Sequence, residues 1–273
     1  MNKVHDYSAH VVLVFCDERR IWLLETMIGE KPRLGVLFDQ EYAEKCRMLS
    51  SFTHRPLVDS HDGADLLLKY SAAGLSLQGP EGQSSPFQPS LESRPRIGRD
   101  PLLRAIHRQN ALVWDLTCGW ARDAVHLAYC GMQVVAVERD TVVYSLVADA
   151  IDRCQKRSPE AVKRFALHCL TAEQQLEQQT DSPPDVIYLD PMYPSKRNSA
   201  SASRPAQLLQ SLCNPTDDLE FLIEKSIATA RYRVVVKRPH FAPVICPQNA
   251  TGSVSGKRVR FDIYPSGSMV GEG

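Results

Sequence analysis

From residue 111 onward, short runs of β-favouring apolar residues alternate with stretches whose apolar residues recur at helical spacing. The pattern predicts strands at 111–116, 133–137, 165–170, 185–189 and 233–236, with helices at 100–108, 122–130, 141–156 and 219–230. Parallel strands need long crossovers and helices supply them, so this alternation implies an α/β sheet with helices on both faces. Residues 257–264 alternate in polarity and read as a late edge strand or hairpin arm. Earlier, two apolar runs within 9–27, a third at 34–38, a helical stretch at 40–50 and an apolar piece at 64–68 suggest a small α+β unit. Residues 74–95 are rich in Gly, Ser, Pro and Gln and read as a loop, linker or irregular hairpin. The expected division is 1–92 for the small unit and linker, and 93–273 for the regular sheet.

One predicted strand carries the chemistry. Asp185-Val186-Ile187-Tyr188-Leu189 runs into Asp190-Pro191-Met192-Tyr193-Pro194, a buried strand ending in a rigid polar turn. In open α/β sheets ligands sit beyond the carboxyl ends of the strands. An acid, a carbonyl beside a proline and an aromatic ring suit the exocyclic amine of a flat base. Asp190 accepts one N–H, the Pro191 carbonyl accepts another, and Tyr193 stacks on the ring.

The first strand of the regular region leads into Asp115-Leu116-Thr117-Cys118-Gly119-Trp120-Ala121-Arg122-Asp123, a small-residue turn opening a helix. Backbone approaches a nucleotide-like ligand in this way. The next strand, Val134-Val135-Ala136-Val137, ends in Glu138, where an acid can hold both ribose hydroxyls. Only Gly119 is present where a dinucleotide fold carries three glycines. A ligand with a ribose and no pyrophosphate fits better, and S-adenosylmethionine is the candidate.

Charge gives no global cue, since Lys+Arg and Asp+Glu are both 32. Phosphate contacts would have to come from local clusters: Arg94/Arg96/Arg99, Lys196-Arg197, Lys237-Arg238 and Lys257-Arg258. Lys237-Arg238 is favoured among them because it follows a buried strand at the edge that carries Asp190. The eight cysteines form no Cys-x-x-Cys pair and no zinc-spaced cluster, so a reducing compartment and no metal are expected. The first ten residues lack the apolar core of a signal peptide and no run is long enough to span a bilayer. A cytoplasmic protein with no membrane partner is the expectation.

Five motifs occur in order: Asp115 to Asp123, Val137-Glu138-Arg139, Asp190-Pro191-Met192-Tyr193-Pro194, Val234-Val235-Val236-Lys237-Arg238-Pro239, and Arg260-Phe261-Asp262-Ile263-Tyr264. Together they resemble the small-subunit ribosomal RNA guanine-N2 methyltransferase J family, over roughly residues 93–265. The resemblance implies a Rossmann-like class I S-adenosylmethionine-dependent methyltransferase sheet behind a small α+β N-terminal domain. It implies methylation of the N2 amine of a guanine in 16S ribosomal RNA, with that RNA or the small ribosomal subunit as partner. The implied cofactor contacts are Asp115 and Gly119 in the first turn, Arg122 and Asp123 after it, Glu138 and Arg139, Leu170 and Thr171, and Asp190. Catalysis falls to Asp190, Pro191 and Tyr193, and RNA binding to Lys196, Arg197, Lys237 and Arg238. The chain departs from the family at Trp120, at Ala121 (where a second glycine is usual), at Leu170 and in the loop after Tyr193. The alternatives at this level are a nucleotide-dependent oxidoreductase, an amino-methylating DNA enzyme and a non-catalytic RNA-binding or assembly factor with the same fold.

Overall fold

The computed structural model describes residues 31–60, 64–79, 85–91, 100–157, 162–178, 182–192, 203–213 and 218–266. The expected apolar runs within 9–27, the basic Arg94/Arg96/Arg99 cluster, Tyr193, Lys196, Arg197 and the 92/93 division lie outside them.

The first sheet is small. It comprises β1 (Leu34–Leu37), β2 (Leu57–Val58), β3 (Leu66–Ser71) and β4 (Gly74–Gln78), ordered β2-β1-β3-β4. β1 runs parallel to β2 and β3, and β3 and β4 form a hairpin. Helix α1 (Ala43–Thr53) lies between β1 and β2 in the chain. β4 lies in the stretch read as a loop, linker or irregular hairpin, and it is the second arm of a regular hairpin. Its Leu75-Ser76-Leu77 core is buried on both faces, so burial overrides the Gly- and Ser-rich composition around it.

After α2 (Pro101–Ile106) the large sheet begins. Its strands are β5 (Leu112–Asp115), β6 (Gln133–Val137), β7 (Phe165–His168), β8 (Val186–Leu189), β9 (Arg233–Pro239), β10 (Gly252–Ser255) and β11 (Val259–Pro265). The helices between them are α3 (Arg122–Tyr129), α4 (Thr141–Arg157), α5 (Ala172–Glu177), α6 (Arg204–Leu212) and α7 (Leu219–Thr229). The spatial order is β10-β11-β9-β8-β5-β6-β7. The strands from β9 through β7 are all parallel, and β11 enters antiparallel between β9 and β10. The chain direction across the sheet reverses between β5 and β8, the switch point at which open α/β sheets bind ligands.

The two-residue period of the strands sorts their side chains between two apolar layers. Val113, Tyr188 and Val235 point into a core shared with α3, α4 and the small sheet. Trp114, Ile187, Leu189, Val234 and Val236 point into a core under α7, with Leu222, Ile223 and Tyr264. Each fully buried aliphatic side chain contributes roughly 1.5–3 kcal/mol of transfer free energy. The small sheet packs on the α4 side, where the Phe52 and Tyr144 rings lie 5.7 Å apart. Among the described residues no helix is long and apolar enough to cross a membrane, and no group of His, Cys, Asp and Glu is placed to hold a metal ion.

Candidate active site

Strand register builds the centre of the site. Leu189 of β8 is paired with Val236 of β9, so the next residues, Asp190 and Lys237, emerge side by side at the carboxyl edge. Asp115 ends β5 opposite Tyr188. The Lys237 ammonium donates to Asp123 Oδ2 at 2.7 Å and to Asp190 Oδ2 at 2.8 Å. The Tyr188 hydroxyl donates to the same Asp123 oxygen at 2.7 Å. The Asp190 N–H donates to Thr117 Oγ1 at 2.6 Å, tying the Asp-Pro turn to the first turn.

Two carboxyls, Asp123 and Asp190, therefore share one ammonium, and Asp115 is buried nearby without contacting it. Burial pushes the Asp115 carboxyl well above the usual carboxylate range, and the Thr117 N–H that it accepts offsets only part of this. Burial also raises Asp123, but Lys237 and the Tyr188 hydroxyl outweigh it and the net shift is downward. For Asp190 burial prevails over Lys237 and the shift is upward. Lys237 itself is raised, because the two carboxylates more than offset its desolvation.

The expectation that Lys237 and Arg238 present charge to phosphate is corrected. The Lys237 side chain is 24% exposed and is committed to two carboxylates. Arg238 is only 5% exposed and donates to the Pro243 carbonyl at 3.5 Å. Neighbouring residues on a strand face opposite ways, so this pair cannot form one basic patch.

The other half of the cleft lies at the carboxyl ends of β5 and β6. Glu138 is buried, with Oε2 accepting the Gly119 N–H at 2.9 Å and Oε1 the Asp140 N–H at 2.8 Å. Burial raises its carboxyl, and these two backbone donors pull it partly back. Each oxygen keeps a second lone pair, so the carboxylate is aimed and can still accept ribose hydroxyls. Gly119 has φ +52°, and a Cβ there would come within 2.9 Å of Leu209 of α6. Trp120 donates from Nε1 to the Pro205 carbonyl at 2.7 Å and meets Phe87 edge-on. The large residue that departs from the family pattern thus docks α6 against the first turn. Helix α6 was not anticipated, although Ser203 and Pro205 at its start and Leu208, Leu209 and Leu212 along it are a readable signal.

Ala121 has φ 57° and ψ 19° with its methyl fully buried. The left-handed conformation costs an alanine roughly 1–2 kcal/mol. In Ala121→Gly that relief opposes the loss of a buried methyl, about 0.8 kcal/mol, and a floppier unfolded chain, ~0.4–1 kcal/mol. The urea midpoint of Ala121→Gly should stay within about 1 kcal/mol of the parent. Ala121→Val adds a β-branched strain and an overpacked core, and should cost about 3 kcal/mol or more. An unchanged midpoint for the valine variant would refute the left-handed turn.

Around these groups is a cleft of about 1160 Å³ lined by Cys118, Gly119, Arg122, Asp123, Glu138, Arg139, Leu170, Asp190 and Pro191, among others. The expected cofactor residues are thereby brought together, except for Asp115, which is buried at the end of β5 behind the cleft wall, and Thr171. Thr171 spends its hydroxyl on the Gln174 N–H at 3.2 Å as the N-cap of α5, while its own N–H donates to the Gln174 side chain. Its flanking residues Leu170 and Ala172 line the cleft. Cys118 is a buried wall residue whose thiol is pushed well up by burial, which suits no nucleophilic role. The His126 ring is mostly buried, with Nε2 2.7 Å from Asp100 Oδ2, and borders the cleft. The donor set fits S-adenosylmethionine: Glu138 for a ribose, a first turn without spare glycines for a pyrophosphate, and an acid-rich floor for an α-ammonium.

A family model described as "Putative SAM-dependent methyltransferase" matches residues 92–266. The chain is 31% identical over 244 residues to a ribosomal RNA small subunit methyltransferase J of Thioalkalivibrio sulfidiphilus, a match covering 84% of this chain and 95% of that protein. Against the enzyme of the same name from Neisseria meningitidis it is 30% identical over 239 residues, covering 84% and 96%. A SAM-dependent methyltransferase from Neisseria gonorrhoeae of known crystal structure shares the fold, with a TM-score of 0.69, 27% identity and coverage of 88% and 99%. The chain belongs to the ribosomal RNA small subunit methyltransferase J family, and its fold is that of a class I S-adenosylmethionine-dependent methyltransferase.

Proposed function

We propose that this protein methylates the exocyclic N2 amine of a guanine in 16S ribosomal RNA, presented as RNA or as the small ribosomal subunit. The observation that carries the reading is the Asp190 carboxylate, pinned through Thr117 and Lys237 in the cleft that also holds Glu138. Membership of the family supports the RNA substrate. The guanine amine is a poor nucleophile because its lone pair is delocalised into the ring. S-adenosylmethionine, when bound, supplies an already electrophilic methyl group. The protein's task is therefore orientation, which can supply several kcal/mol.

Lys237 occupies Oδ2 of Asp190, which leaves Oδ1 to accept one amine N–H. The Pro191 carbonyl accepts the other, and Tyr193 stacks on the base, worth ~1–3 kcal/mol. The nitrogen lone pair is thus held toward the methyl group, and the surplus proton leaves past Asp190 to water. Glu138 holds the ribose, and Arg122, Arg139 and Leu170 wall the cofactor half. A paired guanine cannot reach this floor, so the target is unpaired or flipped out.

The test is to map guanine-N2 methylation in small-subunit RNA from a deletion strain. One modified guanine should be lost and should return when the purified protein and S-adenosylmethionine are added. If every modified guanine persists in the deletion strain, the reading fails.

A further inference from the structure

The segment after β9 displays an aromatic ring to solvent. Phe241 is 80% exposed, the most exposed large apolar side chain among the described residues. Its loop is nevertheless firmly built. Arg260 grips Asp262 through Nε at 2.7 Å and Nη2 at 3.1 Å, and its Nη1 donates to the carbonyls of Pro239 at 3.0 Å and His240 at 2.8 Å. Asp262, the carboxylate that fixes this arginine, is buried. Arg238 reaches the Pro243 carbonyl from the other side of the loop, and the Ala242 N–H donates to Pro239. Two arginines thus brace the backbone on either side of one exposed ring. A mobile loop needs no such bracing, and these contacts fix the backbone from which the ring is presented.

The position is also informative. β9 ends at the same sheet edge as Asp190, and β11 starts there because Val259 pairs with Pro239. The His240 ring meets the Gly256 carbonyl at 3.1 Å, joining the loop to the β10–β11 turn. Gly256, Lys257 and Arg258 of that turn line the cleft. Lys257 and Arg258 are exposed, and neither has a carboxylate partner among the described residues. An exposed ring beside two uncommitted cations is the composition that binds single-stranded nucleic acid, the ring stacking a base and the cations meeting its phosphates.

We propose that Phe241, with Lys257 and Arg258, forms a docking platform for an unpaired RNA nucleotide flanking the methylated one. This rests on the ribosomal RNA reading for its substrate, but not for its test. Binding of a fluorescein-labelled, unstructured oligoribonucleotide is followed by anisotropy, with a duplex of the same sequence as control. Phe241→Ala should weaken single-strand binding by about tenfold, within the range a lost stack allows, while duplex binding and S-adenosylmethionine affinity stay unchanged. Phe241→Trp should restore binding and Phe241→Leu should not. Removing Lys257 and Arg258 together should lower the salt slope by about 0.7 per charge, a slope that Phe241→Ala leaves alone.

Single-strand affinity of Phe241→Ala within about twofold of the parent would overturn the platform. So would full rescue by leucine, which would point to an apolar protein contact. If the parent binds RNA through Phe241 yet the deletion strain keeps all its modified guanines, the proposed function falls and the platform stands. Normal methylation with an inert Phe241 gives the reverse.

Discussion

Asp190→Ala should retain the fold and lose methyl transfer by about 10³-fold or more, because orientation and electrostatic complementarity are both lost at the reacting amine. Retention of the fold follows from the ion-pair arrangement. Lys237 keeps Asp123 at 2.7 Å when Asp190 is removed, so its ammonium is still neutralised. The competition of two carboxyls for one cation is relieved at the same time. Asp190→Asn keeps a carbonyl acceptor but presents an N–H₂ group that competes with the amine, and it forfeits the ion pair. About 10²-fold is expected for that variant. Labelled-methyl incorporation measures both, and near-normal turnover of the alanine variant would remove Asp190 from the mechanism. Calorimetric titration with S-adenosylmethionine separates the two roles of this residue. Unchanged affinity assigns the loss to the amine, and lost affinity assigns it to the cofactor.

Much of this arrangement was legible in the sequence, for identifiable reasons. β5, β6, β8 and β9 are packed on both faces, so they read as unbroken apolar runs whose ends mark the ligand edge. The acids at those ends, Asp115, Glu138 and Asp190, could be named because their place depends only on strand ends and sheet order. What escaped the sequence depends on partners far along the chain. Lys237 beside Arg238 looks like a basic patch until strand alternation sends the two side chains to opposite faces. The acids that claim Lys237 lie 114 and 47 residues away. Trp120 looked like a poor fit for a cofactor turn, yet its indole is taken up by Pro205, 85 residues on. The Thr171 hydroxyl was readable as a cap, since Gln174 three residues later completes a capping box. Exposure of Phe241 has no sequence signature, because a single aromatic in a Pro-containing loop is as compatible with a core contact.

Replacing Lys237 with methionine should be the most disruptive single change in the site for stability. The side chain keeps its length but removes the cation from the two carboxyls that it pairs, Asp123 and Asp190. Breaking a buried pair by deleting one partner costs ~3–5 kcal/mol, and the partial exposure here reduces that to roughly 2–4 kcal/mol at neutral pH. The pH dependence identifies the cause. Asp123 is depressed in the folded parent, so it contributes stability that is present above the unfolded carboxylate pKa and lost as pH falls through the folded value. The variant lacks this contribution and relieves its repulsion by protonation. Its urea midpoint should therefore approach that of the parent as pH drops from 7 through the ordinary carboxylate region, about 4, and on below it toward the depressed Asp123 value. Asp190 is already raised by burial, and Lys237 is the group restraining it. Without the ammonium its pKa rises further, so the acidic limb of the pH–rate profile should move to higher pH as transfer falls about 10²-fold or more. A stability deficit independent of pH would mean that methionine fails for packing reasons. An acidic limb that does not move would mean that Lys237 does not set the ionisation of the carboxylate that receives the amine.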